Sequence, residues 1–304
     1  MSKHLFGMIL THQGTYANNR GETEGTATTL QKVLRNGDLY TTVSAEAIRY
    51  ALREGWQAKN YQVNRCLKNH RECDFRDREF KEWHKYLDDD ALGYMHAREE
   101  TLSRRGLLEI TRAISTTPWR GEIMQNFASP GSNPGVTHKN PIPYAVEVHD
   151  TRYQYGFALT PAFLGRMGFQ DKEDKLTAKE KKERLWQLLE GLCSLRRVGG
   201  NHSRYLTDFS PEVIVLRWTD DPAPRFLYCF MQDDHGGISL DPLFRRLDGD
   251  IEAAELIIGT PLHIPELKAL KDKGANFLPG VKKAVNTLMG MVQDDDLAVP
   301  QSQG

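Results

Sequence analysis

The chain has 304 residues, with 40 lysines and arginines against 41 aspartates and glutamates for a formal net charge of −1, and 39% of it is hydrophobic. That length and balance allow one large domain or two ordinary ones around a buried core, and they exclude a disordered tail protein. They also exclude a globally basic nucleic-acid binder: residues 1–160 carry 21 basic and 19 acidic side chains and residues 161–304 carry 19 and 22, so any polyanion site is a local patch.

In chain order, Leu5 to Thr11 reads as a strand that breaks into a small polar loop at Gly14, Asn18, Asn19, Gly21 and Gly25. Ser44 is placed to cap a helix whose apolar positions Ala45, Ile48, Leu52 and Trp56 step by three and four, with Arg49 and Arg53 one turn apart on it. Residues 57–105 interleave aromatics such as Tyr61, Phe75, Phe80, Trp83 and Tyr86 with many cations, and are expected to be an inserted helical subdomain. Residues 106–118 and 143–160 read as extended. Between them the glycine- and proline-rich stretch Trp119 to Pro143 exceeds the ~12–15 residues that compact domains spend on a plain connection. It is either a projecting functional loop or surface ornament.

A second helix is expected from Ala178 to Leu195 on a leucine stripe, ending at Gly199 and Gly200, where glycine accepts a left-handed cap. Glu212 to Trp218 and Arg225 to Met231 suggest a hairpin, Pro279 to Val292 a last helix, and Asp294 to Gly304 a loose tail. The four cysteines contain no CxxC pair, no apolar run approaches ~20 residues, and MSKHLFGMIL lacks the pattern of a secretory leader. A soluble cytoplasmic protein with reduced thiols is the expectation.

Two acid-poor segments stand out. THQGTYANNRG (11–21) is rich in hydroxyls and amides and carries one arginine, and RRVGGNHSRYLT (196–207) has three arginines, one histidine and no carboxylate. Either can offer donors to phosphate oxygens, and Tyr205 a stacking face. Each also has a plain structural account, a turn in the first case and cations at a helix end in the second. Catalysis is poorly supported: no Walker or GxSxG motif occurs, histidines and cysteines lack metal-ligand spacing, and the runs Asp88–Asp90, Asp233–Asp234 and Asp294–Asp296 read as solvated surface. No cofactor, metal or catalytic residue is expected.

Taken together, THQGTYANNRGETEGTATTLQKV, SAEAIRYALREGW and LCSLRRVGGNHSRYLTDFSPEVIVLRWT resemble the Cas-seven family, the repeated backbone subunit of type I CRISPR surveillance complexes, and look closest to the DevR-like branch of type I-B systems. The likeness covers residues 1–60 and 185–231. It implies an α+β fold: a modified RNA-recognition-motif (ferredoxin-like) core with a four-stranded antiparallel sheet and two helices, a helical insertion and a long thumb-like hairpin. Mapped on this chain, residues 1–56 begin the core, 57–105 are the insertion, 106–160 carry the thumb at about 119–143, 161–260 complete the core, and 261–304 add helices and the tail.

The resemblance further implies crRNA as ligand, target DNA met through that guide, identical subunits in a helical filament, and a large subunit, a guide-end subunit and a processing nuclease as partners. A guide of arbitrary sequence must be held by phosphates and ribose hydroxyls so that its base edges stay free. Contacts are therefore expected from Asn18, Asn19 and Arg20 in the first loop, from Arg49 and Arg53 on the helix, and from Gly199, Gly200, Asn201, His202 and Arg204 in the second loop. Met124, Phe127, His138 and Lys139 are thumb candidates. Arg49 and Arg53 equally suit ion pairs with Glu46 or Glu54. Two other readings stay open: a metal-dependent target-RNA-cleaving relative, disfavoured because no aspartate lies between Ala113 and Val146, and a transcriptional autoregulator, for which no helix-turn-helix signature stands out.

Overall fold

The computed structural model describes residues 2–25, 27–69, 72–97, 101–128, 140–168, 171, 173–199, 205–247 and 249–299, and the side chains of 19–22, 67–69, 72 and 73 lie outside the description. Strand β1 (His4–Thr11) is apolar on both faces: Leu5 and Ile9 join one core cluster while Phe6, Met8 and Leu10 join another. Such a strand belongs in the middle of a sheet covered on both sides, and β1 lies there. The expected polar loop after it is largely strand, β2 (Gly14–Tyr16) and β3 (Asn19–Glu24), followed by β4 (Ala27–Leu30), β5 (Lys32–Arg35) and β6 (Asp38–Val43).

Helix α1 (Ala45–Ala58) starts where Ser44 Oγ accepts the Ala47 amide at 3.3 Å, and it buries Ile48, Ala51, Leu52 and Trp56. Residues 57–105 are not the expected helical subdomain. They form two hairpins, β7 (Arg65–Asn69) with β8 (Glu72–Phe75) and β9 (Gly93–His96) with β10 (Leu102–Arg105), around the short α2 (Leu87–Leu92). The physical reason is visible in the rings: Phe80 stacks on Tyr94 at 4.0 Å and meets Phe75 at 5.1 Å, packing that ties the hairpins together in place of a helical stripe.

The chain continues through β11 (Glu109–Ile110), β12 (Ala113–Ser115), β13 (Ile123–Ala128), β14 (Ile142–Glu147), β15 (His149–Thr151) and β16 (Tyr153–Leu159). Helix α3 (Ala178–Cys193) opens on a capping box between Thr177 and Glu180. Beyond it come β17 (Pro211–Thr219), β18 (Met231–Gln232), β19 (Ile238–Ser239), α4 (Asp241–Phe244), β20 (Leu256–Thr260), α5 (Leu267–Asp272), β21 (Asn276–Pro279) and α6 (Val281–Met291). The expected hairpin partner at 225–231 is not formed as a strand. Arg225 and Tyr228 take left-handed φ values of 64° and 55°, which interrupt an extended run.

The large mixed sheet has nine strands rather than four, in the order β21-β20-β17-β1-β16-β12-β6-β5 with β11 also on β16. Its centre, β17-β1-β16-β12, is antiparallel throughout, whereas β20 and β21 run parallel. Helices α1, α3 and α6 cover one face through Trp56, Leu188 and Leu288, and Phe226, Leu243 of α4 and Leu270 of α5 belong to the cluster on the other. The segment after α6 is not loose up to residue 299: Leu297 is buried and its carbonyl accepts Lys181 Nζ at 3.1 Å.

Candidate nucleic-acid interface

Both acid-poor segments leave the same end of the central sheet. Tyr16 turns inward beside Tyr153 at 4.9 Å and Phe209 at 5.9 Å, and its hydroxyl donates to the carbonyls of His12 at 2.9 Å and Asp208 at 3.2 Å. Burial pushes this phenol up to about 12, so it stays a neutral donor. The first segment is thereby stapled to the end of the second. Asn18 was expected to face RNA, and the structure corrects this: it is 8% exposed, its Nδ2 donates to Thr42 O at 2.7 Å and its Oδ1 accepts from Tyr153 OH at 3.5 Å. A buried side-chain amide must spend its donors and acceptors internally.

The second segment begins where α3 ends. Arg196 bridges Asp208 in antiparallel fashion, Arg197 takes φ 56° and Gly199 φ 62°. A Cβ at Gly199 would lie 3.2 Å from Asn18 Cβ and 3.9 Å from Val43 Cγ1, and one at Gly14 would lie 3.7 Å from Thr207 Cγ2. Glycine thus serves the close approach as well as the left-handed torsion. The two segments converge, Gly199 resting on Asn18. Gly200, Asn201, His202 and Arg204 lie outside the described residues, as do the side chains of Asn19 and Arg20.

The expected thumb has a hairpin at its base, with Met124 opposite Val146, Asn126 opposite Tyr144 and Phe127 opposite Pro143. Strand β14 also pairs in parallel with β4, so hairpin and first segment share one four-stranded sheet, β13-β14-β4-β3. Tyr205, from the second segment, reaches across and puts its hydroxyl 3.2 Å from Met124 Sδ. Ala17, Val146 and Val148 form a small core there, with Tyr144 and Tyr205 packed on it. Phe127 is 66% exposed and Met124, Ile123 and Ile142 are also open to solvent. His138 and Lys139 lie outside the described residues.

Arg49 and Arg53 do not join this gathering, nor do they make the expected pairs with Glu46 or Glu54 among the interactions described. Arg49 donates to Leu108 O at 3.0 Å, and Arg53 approaches the buried Asp88 carboxylate at 3.5 Å. Burial depresses the Arg53 guanidinium, with Asp88 acting in the opposite sense. Both arginines flank the buried stripe of α1 and anchor the core to residues 62–110. Among the described residues, Arg196 and Arg197 of the second segment are exposed cations that make no ion pair. The sequence signal for them was their place in a carboxylate-free run beyond the α3 stripe. Among the described residues no group of three or more histidine, cysteine, aspartate or glutamate side chains is placed to hold a metal.

Comparisons with known proteins add to this geometry. The profile of a family described as CRISPR-associated negative auto-regulator DevR/Csa2 matches residues 12–235. A protein of Myxococcus xanthus (strain DK1622), CRISPR-associated protein Cas7/Cst2/DevR, is 42% identical over 278 residues, covering 85% of this chain and 87% of its own. Among solved structures, a chain of a "CRISPR RNA-guided surveillance complex, pre-nicking" superposes with TM-score 0.64 at 11% identity over 94% of this chain and 99% of its own. Another, from a "CRISPR RNA-guided surveillance complex", gives TM-score 0.59 at 15% identity over 95% and 99%. At those identities the likeness is one of fold.

Proposed function

The chain belongs to the DevR/Csa2 family of CRISPR-associated proteins, and from that premise we propose that it is the backbone subunit of a CRISPR RNA-guided surveillance complex, repeated along the crRNA and presenting it to target DNA. The observation that carries this reading is the convergence of two acid-poor segments and a projecting hairpin at one end of the sheet, with Gly199 against Asn18 and Tyr205 against Met124. Segments that themselves carry no carboxylate, brought side by side, give a near-neutral protein a local place to hold a sugar-phosphate backbone without reading bases.

The core is a modified RNA-recognition-motif fold on this reading. In chain order β17-β1-β16-β12 are fourth, first, third and second, with α1 between the first and second strands and α3 between the third and fourth, which supports the assignment. Asn19, Arg20, Arg196, Arg197, Gly200, Asn201, His202 and Arg204 supply the backbone contacts. Met124, Phe127, His138 and Lys139 act from the thumb at about 119–143. Asn18, Gly199, Arg49 and Arg53 are structural. The subunit is non-catalytic, acts in the cytoplasm of a type I-B system, and assembles with identical copies, a large subunit, a guide-end subunit and a processing nuclease. Among the described residues no helix is long and apolar enough to cross a membrane.

The test is purification from cells that express a CRISPR array together with the partner subunits. RNA of one defined length carried by an oligomer is the expected result, and an RNA-free monomer overturns the reading. Arg20→Ala and Arg204→Ala should each weaken guides of every sequence alike and lower the salt slope by about one. Losses that depend on guide sequence contradict it.

A further inference from the structure

Beneath the meeting point of the two segments runs a chain of buried polar side chains contributed by three separate stretches of the sequence, at 18, 41 and 149–153. His149 Nδ1 lies 2.7 Å from Thr41 Oγ1, which lies 2.7 Å from Tyr153 OH, which reaches Asn18 Oδ1 at 3.5 Å. Thr41 and Tyr153 are 0% exposed, His149 1% and Asn18 8%. Beyond His149, Nε2 meets Thr117 Oγ1 at 3.3 Å, just before the expected thumb begins at Trp119.

One proton order satisfies every link. With His149 neutral and protonated on Nδ1, it donates to Thr41, Thr41 donates to Tyr153, and Tyr153 donates to Asn18 Oδ1, while Asn18 Nδ2 donates to Thr42 O at 2.7 Å. Burial does keep His149 on the neutral side, lowering it from its ordinary value against the opposing pull of Glu122 and Asp150. The terminal acceptor is the residue that immediately precedes β3, whose register opens with Asn19 opposite Leu30, and whose Cβ sits where Gly199 presses in.

A core that needed only to be filled would be apolar here, since partly satisfied polar chains are worse than hydrocarbon. We propose that the His149–Thr41–Tyr153–Asn18 chain is a positioning device for guide-RNA binding: it fixes the rotamer of Asn18 and, through it, the departure of the Asn19–Arg20 backbone and the seat of Gly199, while touching no RNA itself. This rests on the guide-binding reading above.

The test uses the full chain and a fluorescein-labelled RNA of mixed sequence. Thr41→Val removes one hydroxyl at nearly constant shape, Tyr153→Phe removes another, and Thr41→Ser restores the first. The hydrogen-bond scale predicts that Val and Phe each weaken RNA binding about three- to tenfold while the Ser variant retains wild-type affinity. If the Val variant does not fold, the Phe variant carries the same comparison, with a thermal melt verifying that it is native. Combining Thr41→Val or Tyr153→Phe with Arg20→Ala should give clearly less than the sum of the two losses, because part of what the chain positions is the Arg20 contact. Wild-type affinity in a folded Val or Phe variant, additive losses, or failure of Ser to rescue overturns the proposal. An Arg20→Ala variant that binds like wild type instead removes the guide-binding assignment of that segment, whatever the threonine does.

Discussion

The polar chain from His149 to Asn18 buried under the interface is neutral, whereas the aspartates buried under the insertion gather against buried arginines. Under the interface, hydroxyls, an amide and a neutral imidazole hand one proton order along His149, Thr41, Tyr153 and Asn18. Under the insertion, Asp88, Asp89 and Asp90 are 1%, 2% and 0% exposed. Asp88 accepts the Asn64 amide at 2.8 Å, Asp89 accepts Asn64 Nδ2 at 2.7 Å, and Asp90 binds Arg104 at 2.6 Å and Arg184 at 2.7 Å. Arg104 also lies 4.5 Å over the Trp83 ring. Hydroxyl chains are inexpensive to bury and hold geometry, while buried ions are expensive to bury and severe to disrupt. The molecule uses the first where a polyanion is expected to dock and the second where a subdomain must stay attached.

The largest expected effect breaks the ionic side of that contrast. Asp90→Ala strands the guanidiniums of Arg104 and Arg184 in the interior and should cost about 3–5 kcal/mol, read from denaturant unfolding. A loss similar to that of an exposed aspartate would erase the contrast.

A smaller effect comes from acidity. Asp89 is pushed up to about 7 from 3.8, first by burial and then by Asp88. Its folded value is above its unfolded one, so its favourable contribution is complete below 3.8 and is lost as pH rises toward about 7. Asp89→Asn should therefore stabilise the protein above neutrality by on the order of 1 kcal/mol, and thermal melts across pH should be flatter for the variant. His149 has the opposite sign. Its value is lowered below 6.5, so stability is intact above 6.5 and declines as pH falls beneath it, and His149→Gln should remove that acid-side slope in the same melts.

The smallest effect is on stability and the sharpest on assignment. Phe127 is 66% exposed, so Phe127→Ala should change stability by less than about 0.5 kcal/mol. A larger change measured by thermal melting would mean that the hairpin folds back on the body instead of projecting.

How much of this could be read in advance varies by element, for physical reasons. Strand β1 and helices α1 and α3 were legible because local chemistry and burial agree there: an apolar run, the Ser44 cap, a leucine stripe. The insertion was not, since short hairpins held by ring contacts leave no period for a sequence to display. The aspartate run at 88–90 looked solvated because its partners Arg53, Arg104 and Arg184 come from distant stretches of chain, and only the fold brings them to it. Asn18 was singled out as important, but for contact with RNA; its burial followed from Tyr153 and Thr42, which no local pattern ties to it. The exposed pair Arg196 and Arg197 was visible as composition, while their openness was not.

The parallel pairing of Ala145 with Ala27 and Val146 with Thr28 has a mechanical consequence. Backbone hydrogen bonds join the hairpin strand β14 to β4 and, through β4, to β3, where the first acid-poor segment ends, with adjacent strands about 4.8 Å apart. On the proposed reading, the offset between the segment that contacts the guide and the hairpin is therefore set within one subunit, and every copy along a guide carries the same spacing.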